Sequence, residues 1–354
     1  MRLCLPYLAY QNFAVELCMR RIWLIGLLLT FIAPLAASDV YTGEVPVSGQ
    51  DEAARKVAMT EALKQVLIKV SGDPSAAQRA EAQAALDNPE PLIQAFYYRQ
   101  DVDRSGPVPA LKLYYAANFE PRAINKLVSS SGLARWARER PTLMVWVVGD
   151  SGTDFLGSTQ LAPLLRRGSE RGIELKAALI GGEDAPSVID VERGRVSSLR
   201  SVASRFGAPG VLAGRLYATA DGVVARFAYG DGEREESFEV RGSDQTSALR
   251  AVADETANRL AARYAFAAAD STPAQVSAVV RGLRSAGDFA RVYAYLESLS
   301  VVREIHLSSA AADSMSLDLT VAGGQERLRQ ILPMGDLLNV AGDSSDGAVV
   351  LDLR

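Results

Sequence analysis

The chain has 354 residues, with 42 acidic and 38 basic side chains, two cysteines and one histidine. A net charge of −4 without basic tracts argues against a nucleic-acid partner and weakly against an anionic membrane surface. A single histidine with so few cysteines excludes the common zinc sites, and the length suits two or three domains.

Residues 19–38 follow the order of a secretory signal peptide. Arg20 and Arg21 precede an apolar run from Ile22 to Ala33, and small residues follow at Ala36, Ala37 and Ser38. The run is short of the roughly 20 apolar residues of a membrane span, and Pro34 interrupts it, so cleavage near Ser38 leaves no membrane segment. Residues 1–18 do not fit this order and point to Met19 as the true start, a long leading region being the alternative. Both cysteines, Cys4 and Cys18, precede the apolar run, so the exported chain has no disulfide and relies on core burial alone. The expected compartment is the periplasm.

Residues 39–140 read as an α+β domain. A short strand at 40–47 leads to a helix start at Ser48 to Asp51, and Met59, Leu63, Val66 and Val70 form one helical stripe. Gly72 and Pro74 stop that helix. An alanine-rich helix over 76–86, strands over 95–102 and 111–119 split by a turn at 103–109, and a helix opening at Pro121 complete the unit. The pairs Tyr97-Tyr98 and Tyr114-Tyr115 are the aromatic groups that could line a groove, and their strand position favours core packing.

Residues 141–267 read as an α/β sandwich. The run from Thr142 to Val148 is apolar without alternation, the mark of a strand covered on both faces. A helix over 159–171, a strand over 173–179, a helix over 197–206, three strands at 211–218, 223–229 and 235–240, and a long helix carrying Leu249, Val252, Leu260 and Tyr264 follow. Residues 273–354 read as strand-helix-strand-strand-helix-strand, a ferredoxin-like βαββαβ order, with its helix built on Phe289, Val292, Tyr293, Leu296 and Leu299.

The leader, the helix ending in Val70-Ser71-Gly72, the segment Arg140-Pro-Thr-Leu-Met-Val-Trp146 and the stretch Leu283–Leu299 together resemble a bacterial envelope family, domain of unknown function 2066. The resemblance implies a periplasmic location and no established activity, ligand or catalytic residue.

Chemistry is sparse. Gly149-Asp150-Ser151-Gly152 follows the buried strand and precedes a helix, where α/β ligand sites sit, and it resembles the nucleophile block of lipase-like esterases. Those enzymes need Asp and His three residues apart, whereas the residue three before His306 is Arg303. Alternation places His306 with Glu304 and Ser308 on a solvated face. Asp150, Asp154 or the loop from Asp343 to Asp346 could offer oxygens to Ca²⁺, but loop aspartates usually form turns. Gly181-Gly182 and Gly207–Gly210 are turn glycines without a phosphate-loop lysine. Glu233, Glu235, Glu236 and Glu239 alternate with arginines as the wet face of an edge strand does. No cofactor and no catalytic set is expected; Asp150, Ser151 and Asp154 form the candidate binding loop. The reading is a non-catalytic binding or assembly factor for envelope proteins or peptidoglycan. The alternative is a hydrolase acting on an envelope ester or glycan through Ser151 or a carboxylate pair.

Overall fold

A computed structural model describes residues 40–103, 110–178, 185–230, 234–266, 272–335 and 337–354. The leader, the turn over 104–109 and Gly181-Gly182 lie outside the described residues. Among the described residues the chain is mixed α/β, with three main sheets and a two-stranded ribbon. Among the described residues, no helix is long and apolar enough to cross a membrane.

The first sheet has the order β1-β3-β2, from β1 (Thr42–Val47), β2 (Ile93–Asp103) and β3 (Ala110–Phe119), all antiparallel. Helix α1 (Glu52–Ser71) opens where the side chain of Asp51 accepts the Ala54 N–H, and buries Ala58, Ala62, Leu63, Val66, Leu67 and Val70. Gly72 ends it at φ 77°, its N–H donating to the Ile68 carbonyl. A Cβ there would lie 2.3 Å from the Ala261 Cβ, so left-handed backbone and close packing both require glycine. Helices α2 (Ala80–Asp87) and α3 (Pro121–Ser130) add Leu86, Ile124 and Val128 to the same core. The tyrosine pairs divide by strand alternation rather than all entering the core. Tyr115 is buried and Tyr98 half-buried beside it, while Tyr97 is 48% exposed on the other face.

A short ribbon pairs β4 (Arg135–Trp136) with β10 (Ala265–Phe266). Beside it, Arg140 donates to the carbonyls of Ala137, Lys69 and Gly172, and its guanidinium lies 3.9 Å from the Trp136 ring centroid. Burial pushes the Arg140 pKa down, but three carbonyls and the ring face hold the cation in place. Arg140 therefore ties the last turn of α1 to the end of α4 (Ser158–Arg171), the negative poles of both helices.

The second sheet has the order β6-β5-β7-β8-β9, with β5 (Leu143–Val148) fully buried. The apolar run splits by alternation. Leu143, Val145 and Val147 face α4 and α7 (Gln245–Tyr264), and Met144, Trp146 and Val148 face α5 (Val188–Glu192) and α6 (Val196–Arg205). Strands β6 (Leu175–Ala177) and β7 (Gly210–Thr219) flank β5 in parallel. β8 (Gly222–Gly230) and β9 (Glu235–Gly242) extend the sheet antiparallel. The strand expected over 173–179 is a strand over three of the described residues, Leu175–Ala177.

The third sheet has the order β12-β13-β11-β15-β14. Its first elements are strand β11 (Pro273–Arg281), helix α8 (Ala286–Ser298), strand β12 (Val302–Ala310) and strand β13 (Ser314–Ala322). After helix α9 (Gly324–Ile331) the chain departs from a six-element order. A further strand β14 (Leu338–Asp343) intervenes, so the last strand β15 (Val349–Leu353) runs parallel to β11. Burial alternates along β14, but Leu338 and Val340 are its only large apolar residues, and a register shift falls between Val340 and Gly342, so its sequence pattern is weak.

Candidate functional site

From β5 the chain crosses through α4 to β6 on one side, then returns through α5 and α6 to β7 on the other. The helices of the two crossovers cover opposite faces. Such a reversal is the topological switch point beside which open α/β sheets take ligands, here beyond the carboxyl ends of β5 and β7. The predicted loop with Asp150, Ser151 and Asp154 stands there.

The loop is closed by the protein's own groups. The Asp150 carboxylate accepts the Ala218 N–H at 2.6 Å, and the Asp150 carbonyl accepts from Arg215 Nη2 at 2.9 Å. Gly152, at φ 76°, lies against that guanidinium, where a Cβ would come within 2.6 Å of Nη2. Gly149 donates to the Asp154 carbonyl at 2.9 Å, which folds the loop back to the bridge between Val148 and Phe155. Ser151 Oγ accepts from Thr153 Oγ1 at 3.2 Å, and Thr153 Oγ1 also lies 2.8 Å from an Asp154 carboxylate oxygen. The structure thus brings the three predicted residues into one turn, with Asp150 acting as a cap for the free end of β7.

Four contributors were not read from the sequence. Arg215 ion-pairs with Glu192 at the end of α5, and its guanidinium lies 4.7 Å from the Tyr217 ring centroid. Arg226 approaches the same ring at 5.2 Å and pairs with Glu239 at 2.9 Å. Hydrogen bonding to Arg226 holds the Glu239 carboxyl below its usual range. The legible signal was in β7, where Arg215 and Tyr217 continue the face of Val211 and Ala213 beyond the covering helices. Beside them, Glu192, Arg193, Arg226, Ser237 and Glu239 line a shallow groove of about 330 Å³. Its arginines and carboxylates are matched, so it presents hydrogen bonds and little net charge.

His306 lies in the third sheet, exposed, opposite Asp318 of β13. Asp318 accepts from Ser277 Oγ at 2.9 Å and from Ser308 Oγ, and these hydroxyls hold its carboxyl low. Gln275 donates to Thr320 at 2.9 Å on the same face. The helices cover only the opposite face, which carries Val276, Ala278, Leu317 and Leu319. Asp343 pairs with Arg329, and Ser344 donates to Asp346. Among the described residues no three His, Cys, Asp or Glu side chains gather as metal ligands. Glu236 pairs with Arg259 at 3.1 Å on β9, an edge strand as the charge pattern implied.

Residues 35–137 match the model of a family described as Domain of unknown function (DUF8605). That finding overturns the resemblance to family 2066, because the matching model is a different one. The shared features were helix ends and a buried strand, which many α/β folds need. No curated protein and no solved structure matches the chain.

Proposed function

We propose that the protein is a non-catalytic binding or assembly factor for cell-envelope components, protein or peptidoglycan. Residues 19–38 would direct it to the periplasm, and three units, 39–140, 141–267 and 273–354, would give it several surfaces. The last unit is a ferredoxin-like plan with one added strand.

The observation that carries the reading is the uncovered face of the third sheet. Gln275, Ser277, Glu304, His306, Ser308 and Asp318 all stand exposed there, bridged by hydrogen bonds. A broad row of hydroxyl, amide and carboxylate groups, with one imidazole and no Phe, Tyr or Trp, suits a hydroxyl- and amide-rich ligand. It does not suit stacked nucleic-acid bases. The loop at the end of β5 adds support, since Asp150 is committed to main chain and, among the described residues, Ser151 hydrogen-bonds with Thr153.

Two measurements test this. The secreted protein should co-sediment with purified peptidoglycan, or form a photo-cross-link from position 275 to an envelope protein, and Ser277→Tyr with Asp318→Lys should abolish either. Hydrolysis of ester or glycan substrates that disappears in Ser151→Ala or Glu239→Gln would instead establish the hydrolase reading. For export, Leu27→Arg with Leu28→Arg should retain the protein in the cytoplasm, since each charge costs about 2.5–3.5 kcal/mol of insertion. Normal secretion of that variant would remove the periplasmic assignment.

A further inference from the structure

An edge strand offers a row of unpaired main-chain groups, and folded proteins blunt such edges. The described edges of this molecule are blunted in recognisable ways, except one. On β1 the free groups are taken by α1, where Glu44 N–H donates to Gln65 Oε1 at 2.6 Å and Thr42 O accepts from Lys69 Nζ at 2.9 Å. β6 has three residues. β9 carries Glu235, Glu236, Glu239 and Arg241. β12 is broken by two register shifts and carries Arg303 and Glu304, and β14 has one shift beside Gly342.

β2 is different. It has eleven residues, and its pairing with β3 runs without a shift from Ala95 to Asp103. No described strand pairs with its outer edge, although the Val102 N–H is held by the Asp101 side chain at 2.8 Å, and Phe96 and Tyr97 are each 48% exposed, one on each face. We propose that a second copy of this chain covers this edge, pairing β2 antiparallel with β2 about a two-fold axis at Gln100.

The register follows from chemistry. In an antiparallel pair, opposed residues share a face, so a two-fold pairing must place a residue opposite itself. Centring on Arg99 would oppose two guanidiniums, and centring on Asp101 would oppose two carboxylates, both unfavourable. Centring on Tyr98 leaves Asp101 opposite Ala95. Centring on Gln100 places Arg99 opposite Asp101 of the second copy, twice, and Tyr98 opposite Val102, twice. Opposite charges and aromatic–β-branched pairs are the stabilising cross-strand combinations. Within one copy Arg99 already bridges Glu44 and Asp101, the latter at 3.1 Å, so its guanidinium is held on the face where the second carboxylate arrives. Two three-stranded sheets would then join as one six-stranded sheet with a self-complementary interface.

The test uses the full chain with Cys4→Ser and Cys18→Ser, so that introduced cysteines are the only ones. Gln100→Cys should yield a disulfide-linked dimer on mild oxidation, because opposed Cα atoms about 4.5–5.5 Å apart match disulfide geometry. Ser277→Cys, exposed on the third sheet, serves as the collision control and should form no disulfide-linked dimer. Adding Arg99→Asp to Gln100→Cys should reduce the dimer several-fold, and the swap Arg99→Asp with Asp101→Arg should restore it. Failure of Gln100→Cys to cross-link, equal cross-linking of Ser277→Cys, or indifference to Arg99→Asp would overturn the proposal.

Discussion

Arg171, at the junction of α1, α4 and α7, and Arg215, beyond the carboxyl ends of β5 and β7 in the second sheet, both grip main-chain carbonyls. Arg171 is 2% exposed and bonds the Gly72 carbonyl, Asn258 and the Asp254 carboxylate, the last at 2.6 Å. Arg215 bonds the Asp150 carbonyl and Glu192, but its side chain keeps 18% exposure and the loop it holds is wet. The same chemistry therefore has different consequences. At the junction an arginine without its partners would be a buried charge, so the contact fixes how distant segments pack. At the loop water can replace any one bond, so the contact shapes a surface and contributes little stability.

The largest effect expected from this contrast is at Arg171. Arg171→Ala should destabilise the protein by about 3–5 kcal/mol, because the Gly72 carbonyl and Asn258 lose their donor and a fully buried side chain leaves a cavity, while Asp254 keeps Arg167 at 3.0 Å. Urea unfolding measures it, and a loss under about 1 kcal/mol would remove the distinction between the two sites. Next is Gly72→Ala, which combines a left-handed backbone cost of roughly 1–2 kcal/mol with overpacking of about 1–3 kcal/mol against Ala261. A reduced midpoint partly recovered by Ala261→Gly would show that packing supplies a separable share.

Tyr115 gives a titratable counterpart in the first core. Burial, with Tyr98 nearby, pushes its phenol up to about 12 from an ordinary value near 10. The folded state thus favours the neutral form. That stability is complete below about pH 10 and is lost as pH rises toward 12. Tyr115→Phe should flatten this alkaline loss in denaturation followed against pH, and an unchanged profile would assign the loss to other groups. At the loop after β5, Asp150→Ala should cost only about 1 kcal/mol, the value of one exposed charge-assisted bond to Ala218. Ser151→Ala and His306→Ala should each stay within about 0.5 kcal/mol. A larger loss for His306→Ala would mean that the open face of the third sheet is a structural contact.

The sequence by itself determined most of the elements, because their causes are local. Asp51 and Gly72 bound α1, Pro121 opens α3, and the uninterrupted apolar run at 143–148 could only be a central strand. It also placed Asp150, Ser151 and Asp154 in one turn at the end of that strand. It misjudged Tyr97, where neighbouring tyrosines must point to opposite faces, and it missed β14 and α5, too short or irregular to leave a period.

What only the tertiary structure decided is which distant groups meet. Arg140 reaching Lys69 and Gly172, Arg171 reaching Gly72, and Arg215 reaching Asp150 join residues tens of positions apart, and no local pattern encodes such pairings. The switch point itself arises because β5 lies between β6 and β7, an order set by how two helical layers bury the alternate faces of one strand. Local preference fixes where helices and strands begin and end; burial of shared faces fixes their neighbours, and so fixes which polar side chains are left facing water.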